Sequence, residues 1–275
     1  MTIKGMTMGT GMGARMLEYD FMRHAFLATA IVGVLAGSVG WFLVLRGQAF
    51  AGHALGHIGF AGATGAALVG LAPFWGLLGM TVLGGVGMGL LGERIAERDV
   101  AIGVVLAFAL GLGLLFLHFY TAYAGAAMAL LFGNVLGVSS GTLWAMAGLG
   151  GAALAALAMI ARGLLAASLQ PELAEARGVG LRGVSVLFLA IAAVATAESA
   201  EIVGVLLVFA LMVAPAATAQ RMTSRVGWGV GLAAGLAVLE AWVGLVAAYY
   251  TDWPATFWIA AIGAGGFVAA AAIRR

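Results

Sequence analysis

The chain has 275 residues, of which 64% are hydrophobic and 9% are charged, and its net charge is +2. Such an apolar composition excludes an ordinary soluble domain and indicates a protein that crosses a lipid bilayer several times. The small net charge gives no sign of nucleic-acid binding. The chain has no cysteine, which excludes disulfides and thiolate metal ligands. Its only lysine is Lys4, so a phosphate-binding loop of the G-x-x-x-x-G-K-[ST] type is excluded.

Residues 1–24 are rich in methionine and glycine and carry mixed charges, without the pattern of a signal peptide. We expect them to form an N-terminal segment, flexible in part, ahead of a single transmembrane domain at 25–275. Apolar runs long enough to span a bilayer predict the helices of that domain. The expected spans are 25–45, two within 54–92 that separate at Pro73, 100–119, 142–161, 183–197, 202–220, 226–250 and 254–273.

A shorter piece near 124–137 is expected not to span. The predicted fold class is therefore all-α, a polytopic membrane protein with about eight or nine transmembrane helices, including a short or re-entrant segment in the eight-helix version. Three pairs or triplets of glycines at helical spacing predict close helix packing. They are Gly33/Gly37, Gly133/Gly137 and Gly227/Gly231/Gly235.

The arginines predict how the chain is oriented. With nine spans and an external N-terminus, ten arginines lie on the cytoplasmic side and three basic residues lie outside. The cytoplasmic set is Arg46, Arg94, Arg98, Arg162, Arg177, Arg182, Arg221, Arg225, Arg274 and Arg275.

Two histidines, His53 and His57, are four residues apart in an apolar run, which puts both imidazoles on one face of a helix. An imidazole inside lipid is costly unless it meets a partner, water or a metal. The pair is therefore a candidate metal site. The alternative is that both rings only hydrogen-bond to the backbone or to Gln48 and Thr64.

Four carboxylates are further candidates for contact with a cation. Glu240 lies near the middle of a predicted span, where a carboxylate faces a cavity, pairs or is protonated. Glu198 and Glu201 lie at a predicted outer helix end, where they either gather cations or are ordinary exposed acids. Asp252 either contacts the cation or caps the helix that begins near Pro254.

Several blocks of the chain resemble the membrane permease of the zinc/manganese ABC importers, the ABC-3 family of metal uptake systems. They include His-Ala-Leu-Gly-His at 53–57, Leu-Phe-Gly-Asn at 131–134, Gln-Pro-Glu-Leu-Ala at 170–174 and a long block at 203–219 that contains Val-Ala-Pro-Ala-Ala-Thr. The blocks occur in the family's order. One departure is His53, because the family has a carboxylate there, whereas His57 matches the family's histidine.

The resemblance implies the transmembrane subunit of an ATP-driven importer for a divalent transition metal, in the cytoplasmic membrane of a prokaryote. Zinc is favoured because His53 replaces an oxygen ligand with a nitrogen ligand; manganese or iron is the alternative. The metal is cargo, and no permanently bound cofactor is expected. The implied partners are cytoplasmic ATPase subunits, which carry out the hydrolysis, an extracytoplasmic metal-binding protein, a second copy of the chain and the bilayer.

The resemblance also implies a cytoplasmic coupling loop near 162–182, with a short helix that starts at Pro171 and ends before Gly178 and Gly180. The alternative is an ordinary connector. The candidate residues for contact with the ATPase are Gln170, Pro171, Glu172, Leu173, Ala174, Glu175 and Gly178.

The sequence disfavours two other classes of protein. An ion-driven secondary transporter would often show inverted repeats, and no convincing repeat is present. An intramembrane serine protease would need a nucleophilic serine in a Gly-x-Ser-Gly motif, but the sequence at 137–140 lacks the final glycine.

Overall fold

The computed structural model describes residues 16, 18–90, 95–119 and 130–273, and places the side chains of all of these except 95–98. The described part of the chain is helical apart from short turns and contains no strand. Its α-helices are α1 Asp20–Leu45, α2 Ala49–Leu68, α3 Pro73–Leu90, α4 Ile95–Phe119, α5 Ser140–Leu169, α6 Pro171–Ala176, α7 Leu181–Val203, α8 Val205–Met222, α9 Val226–Thr251 and α10 Ala255–Ile273.

Eight of these helices are long and apolar enough to cross a membrane: α1, α3, α4, α5, α7, α8, α9 and α10. The helix α2 has 20 residues, about 30 Å at 1.5 Å per residue. It is less apolar than the eight because it contains two histidines and five glycines. The predicted all-α polytopic fold is therefore confirmed.

Several helices are longer than the expected spans, and α1 and α5 are two examples. The first begins at Asp20, whose carboxylate pairs with Arg23 at 3.5 Å, and residues 20–24 are helical. The expected flexibility of residues 1–15 and 17 lies outside the described residues. The helix α5 continues past 161 to Leu169 because residues 162–169 contain no proline. Pro171, which cannot donate a backbone hydrogen bond, follows the end of the helix.

The short piece near 124–137 is described only from residue 130, where it ends in a 3₁₀ turn at Val135–Gly137. The prediction that Gly133 and Gly137 form a helix-packing pair is wrong. Gly133 has a φ of 81° and lies against Gly204, whose φ is 84°. Both positions require glycine because a side chain is strained at such φ values. This contact joins the piece to the corner between α7 and α8.

The helix α1 runs through the middle of the bundle and contacts α5, α7, α8 and α9. Gly33 and Gly37 lie against Val238 and Ala233 of α9, so the predicted close packing of this pair is confirmed. The triplet on α9 behaves differently. No other atom of the described chain lies within 4 Å of a Cβ added at Gly227, Gly231 or Gly235. The packing predicted for that triplet is therefore wrong within this chain.

Side-chain contacts show which helix ends share one end of the bundle. Gln220, near the end of α8, donates to the Trp41 carbonyl near the end of α1 at 2.7 Å. Arg221 lies 4.7 Å from the ring centroid of Phe267 in α10. Arg46 after α1 contacts Ser185 at the start of α7. These arginines thus gather at one end, as the predicted arginine asymmetry requires.

Candidate functional site

The histidine pair lies on α2, which is enclosed by α3, α4, α7 and α8. Because the two residues are one helical turn apart, their ring centroids are 4.8 Å apart, with the ring planes at 85°. The ring of Phe209, from α8, lies 5.1 Å from that of His53. Both imidazoles are half-buried. The structure therefore places the pair at a junction between α2 and α8.

Glycines explain how the other helices come so close to the pair. Gly56 lies against the Val205 carbonyl at the start of α8, and Gly59 against Leu77 and Thr81 of α3. Gly62 faces Gly76 across the same α2–α3 contact. Small residues let backbones approach without a side chain between them.

The partners suggested for the rings in the packing alternative are engaged elsewhere. Thr64 donates to the carbonyls of Phe60 at 2.9 Å and Ala61 at 3.1 Å. The Gln48 side-chain oxygen accepts from Arg46 Nε at 3.3 Å. Across the described residues, neither imidazole has a hydrogen-bond partner, and their ring contacts are with each other and, for His53, with Phe209. Their ring nitrogens are therefore available to a ligand.

Glu198 is fully buried, and neither carboxylate oxygen has a hydrogen-bond partner within the described chain. The expectation of an exposed helix end is wrong for this residue. It fails because the last turns of α7 are covered by α1 and α5, with Leu35 and Gly150 next to the carboxylate. Glu201 is half-buried, and its backbone carbonyl accepts from Asn134 N at 3.4 Å.

Glu240 of α9 is 5% exposed. Its carboxyl group packs against α10 and α8, close to Gly263 and Ala214. Its Oε2 has no hydrogen-bond partner in the part of the chain that is described. The expected burial within a span is confirmed. A buried carboxyl group in this setting avoids the cost of an isolated charge when it carries a proton.

Asp252 is exposed and has a φ of 54°, the left-handed conformation. Its backbone N–H donates to the Ala248 carbonyl at 3.0 Å, so it ends α9. The alternative, in which it caps the next helix, is wrong because α10 begins only at Ala255. Asp252 also lines a cavity of about 520 Å³, together with Asn134 and Tyr249.

The candidate residues do not form one cluster. The histidines lie at the α2–α8 junction, Glu198 faces α5 and Glu240 faces α10. Within the described residues, no group of three or more His, Asp or Glu side chains is close enough to hold a metal ion.

The predicted short helix in the coupling loop is α6, Pro171–Ala176, with proline at its first turn. After it, Gly178 has a φ of 81°, and Val179 N donates to the Ala174 carbonyl at 3.0 Å. Glu172 and Glu175 are exposed, whereas Ala174 is buried. The loop is shorter than predicted, because α5 and α7 occupy both ends of the range 162–182.

Sequence reasoning did not find the role of Arg46 or the contact of Phe209 with His53. Arg46 donates to Gln48 in its own turn and to serines of two other helices, and it lies over the ring of Phe188. Phe209 lies within the motif block at 203–219, but only the positions of the partner helices show what Phe209 and Arg46 contact.

Comparisons with known proteins agree with this architecture. Residues 18–274 match the ABC 3 transport family. The chain is 31% identical to the manganese transport system membrane protein MntC of Halalkalibacterium halodurans over 235 residues, 84% of this chain and 80% of that protein. It is 33% identical to the "Probable metal transport system membrane protein" of Treponema pallidum over 257 residues, 92% of each chain.

A solved structure of PsaBC from Streptococcus pneumoniae in complex with Fab has the same fold. Its matching chain is 26% identical, with a TM-score of 0.80 over 94% of this chain and 95% of that chain. The match at 18–274 covers nearly every described residue. The chain is therefore a multi-pass membrane protein that belongs to the ABC 3 transport family, and it is a transport subunit, not an enzyme.

Proposed function

We propose that this chain is the membrane subunit of an ATP-driven importer for a divalent first-row transition metal, and that the metal passes His53 and His57. The observation that carries the proposal is the half-buried imidazole pair at the α2–α8 junction, whose nitrogens face no protein partner within the described residues. Two histidines four residues apart on a helix are a known arrangement for holding a metal ion. Membership of the ABC 3 transport family supports a transport role and weighs against the ion-driven secondary transporter.

The identity of the metal is the finer part of the proposal. Imidazole suits zinc, whereas manganese prefers oxygen ligands, so the residues at the pair favour zinc. Several relatives are named as manganese transport or import proteins, which favours manganese. The zinc preference expected from the sequence thus rests on His53 alone, and competition between the two metals decides it.

The proposed assembly has two copies of the chain, cytoplasmic ATPase subunits and an extracytoplasmic metal-binding protein. The support for ATPase docking is α6, an exposed short helix at the end of the bundle where the arginines gather. The support for the assembly is the family and the PsaBC fold match.

The test is uptake of radioactive zinc or manganese by cells that express the complete system. We expect His57→Ala to reduce uptake by about tenfold or more, and His53→Ala to reduce it less. His53→Asp should retain transport and shift competition towards manganese, because an oxygen replaces a nitrogen. The matched control is His118→Ala, since His118 is exposed and lies away from the pair. Uptake at the parental rate by His57→Ala, at equal expression, would show that the pair only packs.

A further inference from the structure

One guanidinium group connects the helices that flank α6 to the start of the histidine helix. Arg46 Nη1 donates to Ser168 Oγ at 3.1 Å, and Nη2 donates to Ser185 Oγ at 2.7 Å. Ser168 is the residue before the last one of α5, and Ser185 is the fifth residue of α7. The two serines are therefore the anchors of the segment that contains α6, one before it and one after it.

The same side chain also holds the base of α2. Arg46 Nε donates to Gln48 Oε1 at 3.3 Å, and Gln48 is 3% exposed. The backbone of Gln48 is fixed on both sides, since its N–H donates to the Leu43 carbonyl at 2.8 Å and its carbonyl accepts from Gly52 N at 3.2 Å. Gly52 directly precedes His53. The first turn of α2 thus connects Gln48, which the guanidinium contacts, to His53.

The geometry needs arginine in particular. A guanidinium is a rigid planar fork with donors in several directions, so it can hold three acceptors at fixed angles. It also lies 5.8 Å from the ring centroid of Phe188, one turn after Ser185 on α7. A lysine has the same charge but only a single flexible ammonium group, which cannot hold this arrangement.

We propose that Arg46 is a positioning residue for coupling: it transmits displacement of α6 to the histidine pair by holding α5, α7 and the base of α2 in one arrangement. This inference rests on the proposed function, because it assumes that α6 contacts an ATPase and that metal passes the pair. Arg46 does not itself contact the metal.

The test compares metal uptake with ATP hydrolysis in proteoliposomes that contain the complete transporter, with the metal-binding protein supplied. We expect Arg46→Lys to reduce the amount of metal imported per ATP by about tenfold while hydrolysis continues, because the charge is kept and the fork is lost. Arg225→Lys is the matched control, since Arg225 is an exposed arginine after α8, at the same end of the bundle, and should leave the ratio unchanged.

A purely structural role predicts a different result. In that case uptake and hydrolysis fall together and their ratio stays at the parental value, which would overturn the proposal. If Arg46→Lys does not assemble, the double variant Ser168→Ala with Ser185→Ala decides, because it removes two acceptors and leaves the arginine in place. A parental ratio in that variant overturns the proposal equally. Absence of metal uptake by the parent would instead contradict the proposed function.

Discussion

Glu198 on α7 lies directly against Gly150 on α5, and a Cβ added at Gly150 would be 2.8 Å from Glu198 Oε2. The carboxyl group is fully buried and has no hydrogen-bond partner in the described chain. The carboxyl group of Glu198 therefore fits against α5 because Gly150 has no side chain.

The first prediction concerns this contact. Gly150→Ala should destabilise the protein by about 1 kcal/mol, because the new Cβ displaces the enclosed Glu198 carboxyl group, and Glu198→Ala in the same chain should relieve the clash. Gly151→Ala is the matched control, because a Cβ there meets no described atom within 4 Å. The control should be neutral or slightly stabilising, since alanine favours a helix more than glycine does. Thermal unfolding in detergent measures all three, and equal midpoints for Gly150→Ala and Gly151→Ala would contradict the prediction.

The second prediction concerns the approach of α1 to α8. A Cβ at Gly40 would overlap the Met212 carbonyl, a backbone group that cannot rotate away. Gly40→Ala should cost about 3 kcal/mol or more and reduce the yield of folded protein. Gly231→Ala, on an open face of α9, should not. Size-exclusion chromatography after heating measures how much of each variant stays monodisperse. A Gly40→Ala variant that resists heating as well as Gly231→Ala would contradict the prediction.

The third prediction concerns α6. Glu172 and Glu175 are exposed, so their reversal to arginine leaves the fold intact but changes the charge that the helix presents. We expect Glu172→Arg with Glu175→Arg to abolish metal uptake while the protein remains inserted. The control is Glu18→Arg with Asp20→Arg. It makes the same charge change at two exposed acids near the start of α1, far from α6. Normal uptake by the α6 variant would make this segment a simple connector.

The fourth prediction concerns orientation. The chain has no cysteine, so single cysteines can be introduced without background. We expect Ala176→Cys, in α6, to resist an impermeant thiol reagent added to intact cells, because arginine-rich ends stay in the cytoplasm. Ser140→Cys, exposed at the opposite end of α5, should react. The reverse pattern of labelling would invert the orientation.

The sequence predicted the spans well because a bilayer demands long apolar runs, and these are visible without any partner. It also predicted the break at Pro73 and the helix that starts at Pro171, since proline acts locally. It did not predict that α5 continues to Leu169, because polar residues at the end of a span look the same whether helical or not.

The candidate site was predictable only in part. The spacing of His53 and His57 fixed their common face, but their contact with Phe209 depends on where α8 lies. Glu198 was expected near water because it is close to a helix end, whereas its burial depends on α1 and α5. Burial of one helix face is a property of several helices together, and it cannot be read from one helix alone.

The modest apolarity of α2 has a consequence for how the protein is made. With two histidines and five glycines, this helix gains less than its neighbours by entering lipid alone. Its close contact with α3, through Gly62 and Gly76, offers a partner that follows after only a short turn. Insertion of α2 and α3 as one hairpin would bury the glycine face of α2 first, and the imidazoles would be covered only when α8 packs against them. We therefore expect residues 49–90, which pack as a pair of helices, also to insert as a pair.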